Sequence, residues 1–329
     1  MMKPTILLAL VLSIMSVSMA GTLYSDMSII SNGLERVFWY YVPEDLPAGD
    51  VPLVIVLHGG GGDCRGVTGS TLAKSPPSVW MEVADRDGFI VAYPQGAHSA
   101  SILGGWHWND CRGDVPDDAT ADDVLYISDL IDWMSSEHSI DPQRVYATGV
   151  SNGGMMSLRL ALELSDRIAA VGAVAASMPA VPDCGGPVGP VAILIMNGTE
   201  DELVPYDGGP VLSRRNPRGT VVSTDSTVTF WGDFLQTDPE PSVRELEDLD
   251  TADNSTVTEI SWTGGREGTE VVLFRIDGGG HTEPSISQQR ARLYENLVGM
   301  QNHDIEAAEV IWEFFSRHEL SGGANTIRR

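Results

Sequence analysis

A succession of short, nearly unbroken apolar runs constrains this chain more than any other feature. They are Leu53 to Leu57, Phe89 to Tyr93, Ile168 to Ala175, Val191 to Met196 and Val271 to Ile276. A run with no polar face must be covered on both sides, which is the situation inside a parallel sheet flanked by helices. Helical patterns fall between the runs. Val79 to Asp87 reads as a helix closed by Gly88, and Ala121 to His138 carries Val124, Ile127, Leu130, Ile131 and Met134 at helical spacing. Asn152 to Leu164, Ser223 to Leu235 and Ile305 to Arg317 read as further helices, and Arg36 to Val42 and Val145 to Thr148 as further strands. The alternation predicts an α/β fold with a mostly parallel central sheet and helices on both faces. Thr237 to Asn254, acidic and with two prolines, reads as a surface loop. No internal repeat or low-complexity linker divides the chain.

Residues 1–20 stand apart. Lys3 precedes an apolar stretch from Ile6 to about Val17, and Ser18-Met19-Ala20 supplies small residues for cleavage. This is the layout of a secretory signal peptide, too short in its apolar part for a membrane span. The expectation is an exported protein, secreted or periplasmic, with a single catalytic domain over residues 21–329. The formal charge is −26, and becomes −27 when Lys3 leaves with an acid-free leader. So acidic a chain is not expected to partner nucleic acid or an anionic membrane. Cys64, Cys111 and Cys184 allow one disulfide, with the pairing open, and none has zinc-site spacing.

Chemistry concentrates just after the predicted strands. Gly149-Val150-Ser151-Asn152-Gly153 sits between a strand and a helix, the setting in which a sharp turn exposes a serine hydroxyl. The competing reading is a glycine-rich turn whose serine caps the helix. A nucleophilic serine needs a base and an orienting acid. Asp201 follows one buried strand in Asn197-Gly198-Thr199-Glu200-Asp201, and His281 follows another in Gly278-Gly279-Gly280-His281. Glu200 and Asp207 are rivals for the acid, whereas His138 and His318 fall near helix C-termini and suit dipole pairing. His58-Gly59-Gly60-Gly61-Gly62 follows the second strand, and its backbone can approach a substrate closely. A tetrahedral intermediate would be met by the amides of Asn152 and Gly60, with Gly59 or Gly61 as alternatives. No lysine follows as in a phosphate-binding loop.

With these residues in place, the chain resembles the polyhydroxybutyrate depolymerase and feruloyl esterase family of α/β-hydrolases. The resemblance rests on His58 to Gly61, Trp108-Asn109-Asp110, Asp122-Asp123-Val124, Asp141 to Gly149 and Ser151-Asn152-Gly153-Gly154-Met155-Met156. It continues in Gly198-Thr199-Glu200-Asp201, Val204-Pro205-Tyr206, Gly278 to Thr282 and Ile311 to Phe315. It implies an α/β-hydrolase fold and hydrolysis of carboxylic esters through an acyl-enzyme, without metal or organic cofactor. It also implies Ser151, Asp201 and His281 as the triad. Three departures stand out. Glu283 replaces a tryptophan two residues after the histidine, Asn197 replaces a histidine before the acid loop, and Ser285 to His303 is longer than usual. Glu283 is therefore expected to alter acyl or alcohol selection. Trp106 and Trp108 are expected either to stack on a sugar or phenolic ring or to pack under a loop. The expected partner is a small-molecule or oligomeric ester, with plant polysaccharide side chains among the candidates. A serine peptidase would use the same triad, and a non-catalytic binding protein would need neither triad nor oxyanion loop.

Overall fold

The computed structural model describes residues 21–71, 75–98, 105–115, 121–213 and 216–321. The expected leader, residues 1–20, lies outside them. In chain order the strands are β1 (Thr22–Ser31), β2 (Leu34–Val42), β3 (Val51–Leu57), β4 (Ile90–Pro94), β5 (Ala97–His98), β6 (Trp106–His107) and β7 (Ile140–Val150). There follow β8 (Ala170–Val174), β9 (Ala192–Gly198), β10 (Gly209–Ser213), β11 (Asn216–Val221), β12 (Ser242–Glu245), β13 (Thr256–Trp262) and β14 (Val271–Asp277). The helices are α1 (Cys64–Val67), α2 (Val79–Asp87), α3 (Asp123–Glu137), α4 (Asn152–Glu163), α5 (Thr224–Leu235), α6 (Arg292–Val298) and α7 (Ala307–Phe315).

Ten strands form one sheet in the order β1-β2-β4-β3-β7-β8-β9-β14-β13-β12. The block from β4 to β14 is parallel, and the two strands at each end are antiparallel. Alternate residues of β3 enter two different cores. Leu53, Ile55 and Leu57 pack with Tyr126, Leu130, Met155 and Trp231, whereas Val54 and Val56 pack with Trp80, Phe89, Trp312 and Phe315. Thus α3, α4 and α5 cover one face, α2 and α7 cover the other, and the unbroken apolar runs are explained. Among the described residues no helix is long and apolar enough to cross a membrane.

Helix ends follow their caps. The Asp122 carboxylate accepts the Leu125 amide at the start of α3, the Ser223 hydroxyl accepts the Ser226 amide before α5, and Gly88 ends α2 at φ 74°. Two sequence expectations change. Thr237 to Asn254 is not all loop, because β12 lies within it and pairs with β13. An additional strand, β1, pairs with β2 along the opposite edge. Neither histidine near a helix C-terminus follows the expected dipole pairing. His318 Nε2 bonds Glu270 at 3.0 Å, and the His138 ring packs edge-on to Tyr40, with burial holding its pKa below the ordinary value.

The topology positions the site. Successive strands leave β3 toward opposite sides, β4 on one and β7 on the other, so a crevice opens at the carboxyl ends of β3 and β7. Leu57 is in register with Gly149 across that pair, which brings the loop after β3 beside the turn after β7.

Candidate active site

Ser151 occupies the turn between β7 and α4 at φ 58° and ψ −122°, a conformation that costs a non-glycine residue energy and must be held by its surroundings. Its amide donates to the Val174 carbonyl at 2.8 Å, and its carbonyl accepts the Met155 amide at 2.8 Å. The glycines beside it are required by close approach. A Cβ on Gly149 would lie 2.7 Å from the Leu57 carbonyl oxygen, and one on Gly153 would lie 2.4 Å from that same atom. The Ser151 side chain makes no capping bond to α4. The helix-cap reading of this serine is therefore set aside, and its hydroxyl is left available for chemistry.

The loops after β9 and β14 are neighbours because those strands pair in parallel. They are joined by the Thr199 amide to the Ile276 carbonyl, the Glu200 amide to the Gly279 carbonyl and the Gly278 amide to Thr199 Oγ1, at 2.9 to 3.0 Å. Within this pair of loops His281 Nδ1 lies 2.7 Å from Asp201 Oδ2. The other carboxylate oxygen of Asp201 accepts the amides of Leu203 and Val204, each at 2.8 Å. Asp201 is buried, whereas its rivals Glu200 and Asp207 are exposed. Behind the histidine, its amide donates to the Val298 carbonyl at 2.6 Å, and the Gly280 amide donates to the Met300 carbonyl at 2.8 Å. The long Ser285 to His303 segment thus supports His281 from its far side.

The loop after β3 is set by a histidine that does not titrate near neutrality. His58 Nε2 accepts the Gly96 amide at 3.0 Å, so the proton resides on Nδ1, which donates to the Gly59 carbonyl at 2.8 Å. Burial lowers its pKa to about 4. In the same loop the Gly61 amide is engaged by the Trp106 carbonyl and the Gly62 amide by the Gly59 carbonyl. Gly61 is thereby removed as an alternative donor, while Gly60 stands against Asn152, whose Cβ is 3.5 Å from where a Gly60 Cβ would be.

The Asn152 side chain is locked as well. Its Oδ1 accepts the Trp108 amide at 2.8 Å, and its Nδ2 donates to the Trp108 carbonyl at 2.9 Å and to Asp110 Oδ2 at 2.7 Å. Asp110 also forms a buried ion pair with Arg112 at 2.7 Å. Between them Cys111 bonds Cys184, which answers the open pairing question and leaves Cys64 as a buried thiol. Trp108 is 0% exposed and donates from Nε1 to the His58 carbonyl at 2.9 Å. It therefore offers no face to a ring and acts as packing, contrary to the stacking expectation. Trp106 is 38% exposed and lines a cavity of about 650 Å³ with Arg36, Cys64, Arg65, Gln95 and His98.

Glu283 is only 8% exposed, and burial pushes its carboxyl up to about 8, against a smaller opposing effect of Arg290. Near pH 7 this group is therefore mostly neutral and enclosed, so any influence on acyl or alcohol selection does not come from an exposed charge. Asn197 is a structural amide, bridging the amide and carbonyl of Ala176 and reaching Thr224 Oγ1. Sequence reasoning missed Gln95, whose side chain contacts His58 Nε2 and accepts the Cys64 amide, and it missed His107 beside Gly60. Neither lies in a motif whose spacing points to it.

The family model described as esterase PHB depolymerase matches residues 37–180, from β2 past β8, and includes the His58 loop and the Ser151 turn. A putative esterase, NocK, of Nocardia uniformis subsp. tsuyamanensis is 32% identical over 246 residues, covering 73% of this chain and 67% of that protein. The chain belongs to this esterase family. Its members named here are carboxylic ester hydrolases. Feruloyl esterase B of Piromyces equi is another relative, 31% identical over 220 residues, covering 66% of this chain but 38% of that protein. The chain therefore spans well under two thirds of some longer relatives. The acetyl xylan esterase structure from Aspergillus awamori superposes with a TM-score of 0.54 at 17% identity, covering 80% of this chain and 96% of that one. At that identity the likeness is one of fold, and the fold of this esterase is the α/β-hydrolase fold.

Proposed function

We propose that this esterase is exported and hydrolyses carboxylic esters through an acyl-enzyme on Ser151, within one catalytic domain that begins after residue 20. His281 removes the serine proton as Ser151 Oγ attacks the ester carbonyl, and Asp201 holds the imidazole in the tautomer that leaves Nε2 as the base. The amides of Asn152 and Gly60 receive the negative charge that forms on the former carbonyl oxygen. His281 then protonates the departing alcohol, and water repeats the sequence in reverse to release the acid. The observation that carries the reading is the Asp201–His281 pair, with one carboxylate oxygen on Nδ1 and the other fixed by two amides. A carboxylate held that way can fix both the orientation and the tautomer of the imidazole.

Feruloyl or acetyl esters on polysaccharide side chains and hydroxyalkanoate oligomers are the substrate classes, by analogy with relatives named for feruloyl, acetylxylan and poly(3-hydroxyalkanoate) esters. The test is a panel of methyl ferulate, p-nitrophenyl acetate and butyrate, and 3-hydroxybutyrate oligomers, run on wild type and Ser151→Ala. Turnover that disappears in Ser151→Ala is expected, and its ranking identifies the acyl group. Turnover that survives in Ser151→Ala, or a folded wild type inert toward every ester, would overturn the proposal.

A further inference from the structure

β6 is two residues long, and both of its ends are fastened to the elements assigned to the oxyanion. The Trp106 carbonyl accepts the Gly61 amide at 2.9 Å, and the Trp108 amide donates to Asn152 Oδ1 at 2.8 Å. His107 lies between these clamps and, by the alternation of a strand, projects to the face opposite Trp106. Its Nδ1 and Cε1 lie 3.1 and 3.2 Å from the point where a Cβ on Gly60 would stand, the same point that Asn152 Cβ approaches at 3.5 Å. Gly96 permits this close packing, since a Cβ there would be 2.6 Å from the His107 carbonyl oxygen. The imidazole is only partly buried. It therefore stands against the glycine that carries one donor and the residue that carries the other, with a ring nitrogen on the Gly60 side.

We propose that His107 is a third polar group of the oxyanion site. A ring N–H donates a hydrogen bond to the alkoxide of the tetrahedral intermediate, and no proton is transferred to it. Side-chain donors serve beside backbone amides at such sites, where charge develops away from bulk water and each bond counts for more than it would in solution. The proposal rests on the acyl-enzyme reading and extends it to a residue outside the Gly-Val-Ser-Asn-Gly turn and the His58 loop.

The test compares His107→Ala, His107→Phe and His107→Gln with wild type. For each, kcat and KM are measured on p-nitrophenyl acetate, together with Ki for an alkyl trifluoromethyl ketone, which adds to Ser151 and places an alkoxide in the site. His107→Ala and His107→Phe are expected to lose about 10²-fold in kcat with KM nearly unchanged. Their Ki should rise by a similar factor, and His107→Gln, which retains a donor, should recover part of both. His107→Phe keeps a ring of similar size, so it remains informative if the alanine variant fails to fold. Folded variants within twofold of wild-type kcat/KM would overturn the role, as would a kcat loss with no matching change in Ki. A wild type that neither turns over esters nor binds the ketone would instead overturn the acyl-enzyme reading.

Discussion

Acid should loosen the esterase through His58 before it reaches most carboxylates. The ring is 1% exposed, and the Gly96 amide needs Nε2 unprotonated. The pKa is 6.5 for the unfolded reference and about 4 in the fold, so the unfolded chain takes up the proton first as pH falls. Stability contributed by the neutral ring is fully present above pH 6.5 and is lost progressively down to about pH 4. Linkage gives a loss of about 2 kcal/mol between pH 7.5 and pH 5, and about 3 kcal/mol once both forms are protonated. The assay is urea unfolding followed by tryptophan fluorescence at both pH values, for wild type and His58→Gln. Other titrating groups are common to the two proteins and cancel in the difference. The wild type's advantage over the variant should shrink by about 2 kcal/mol at pH 5. Parallel behaviour of the two proteins would refute the reasoning and show that the ring is not held neutral.

Glu283 has the opposite sign. Its carboxyl is neutral up to about pH 8 in the fold but ionises near 4.5 when unfolded, so it destabilises increasingly as pH rises between those values. Glu283→Gln should be more stable than wild type by about 3 kcal/mol at pH 7 and equal to it below pH 4.5, as read by denaturant titration. Breaking the Cys111–Cys184 bond, which closes 73 residues, should cost about 2–4 kcal/mol. The Cys111→Ser/Cys184→Ser pair should show that loss, while wild type under dithiothreitol should approach it. Asp201→Asn should lower kcat about 10⁴-fold while leaving KM within a few-fold, by wrongly fixing the His281 tautomer. Gly149→Ala should fail to fold or lose its turn, because the added methyl meets two backbone segments. A soluble, active variant at that position would contradict the packing described for the Ser151 turn.

The central strands and the loops proposed to carry the triad were legible because their signals are local. A run such as Leu53 to Leu57 can only be covered on both faces, and Ser151, Asp201 and His281 each follow a strand that announces itself. The edges were not. β12 is exposed at every position, and β1 is exposed at most of its positions, so little apolar periodicity marks either as a strand. The roles of Trp108 and Asn197 were hidden for another reason. Their hydrogen-bond partners, His58, Ala176 and Thr224, are distant in sequence, and an indole or amide looks the same in sequence whether it faces a ligand or a carbonyl. The disulfide was undecidable from spacing, since three cysteines permit any pair. Only the proximity of the Cys111 loop to Cys184 selects it.

The support behind His281 has a consequence for how this loop can vary. Gly280 and Gly299 meet backbone to backbone, so close that a Cβ on Gly280 would lie 2.3 Å from the Gly299 Cα. The Ser285 amide returns to the Asn302 carbonyl, and the Ala307 amide to the Pro284 carbonyl. The excursion between is therefore sutured shut at its base, like a handle joined to a cup. Its outer surface, including the exposed Leu293 and Leu297 of α6, can drift or be re-engineered while Val298, Gly299 and Met300 keep the imidazole in place. Changes confined to that outer surface leave untouched the backbone that holds His281.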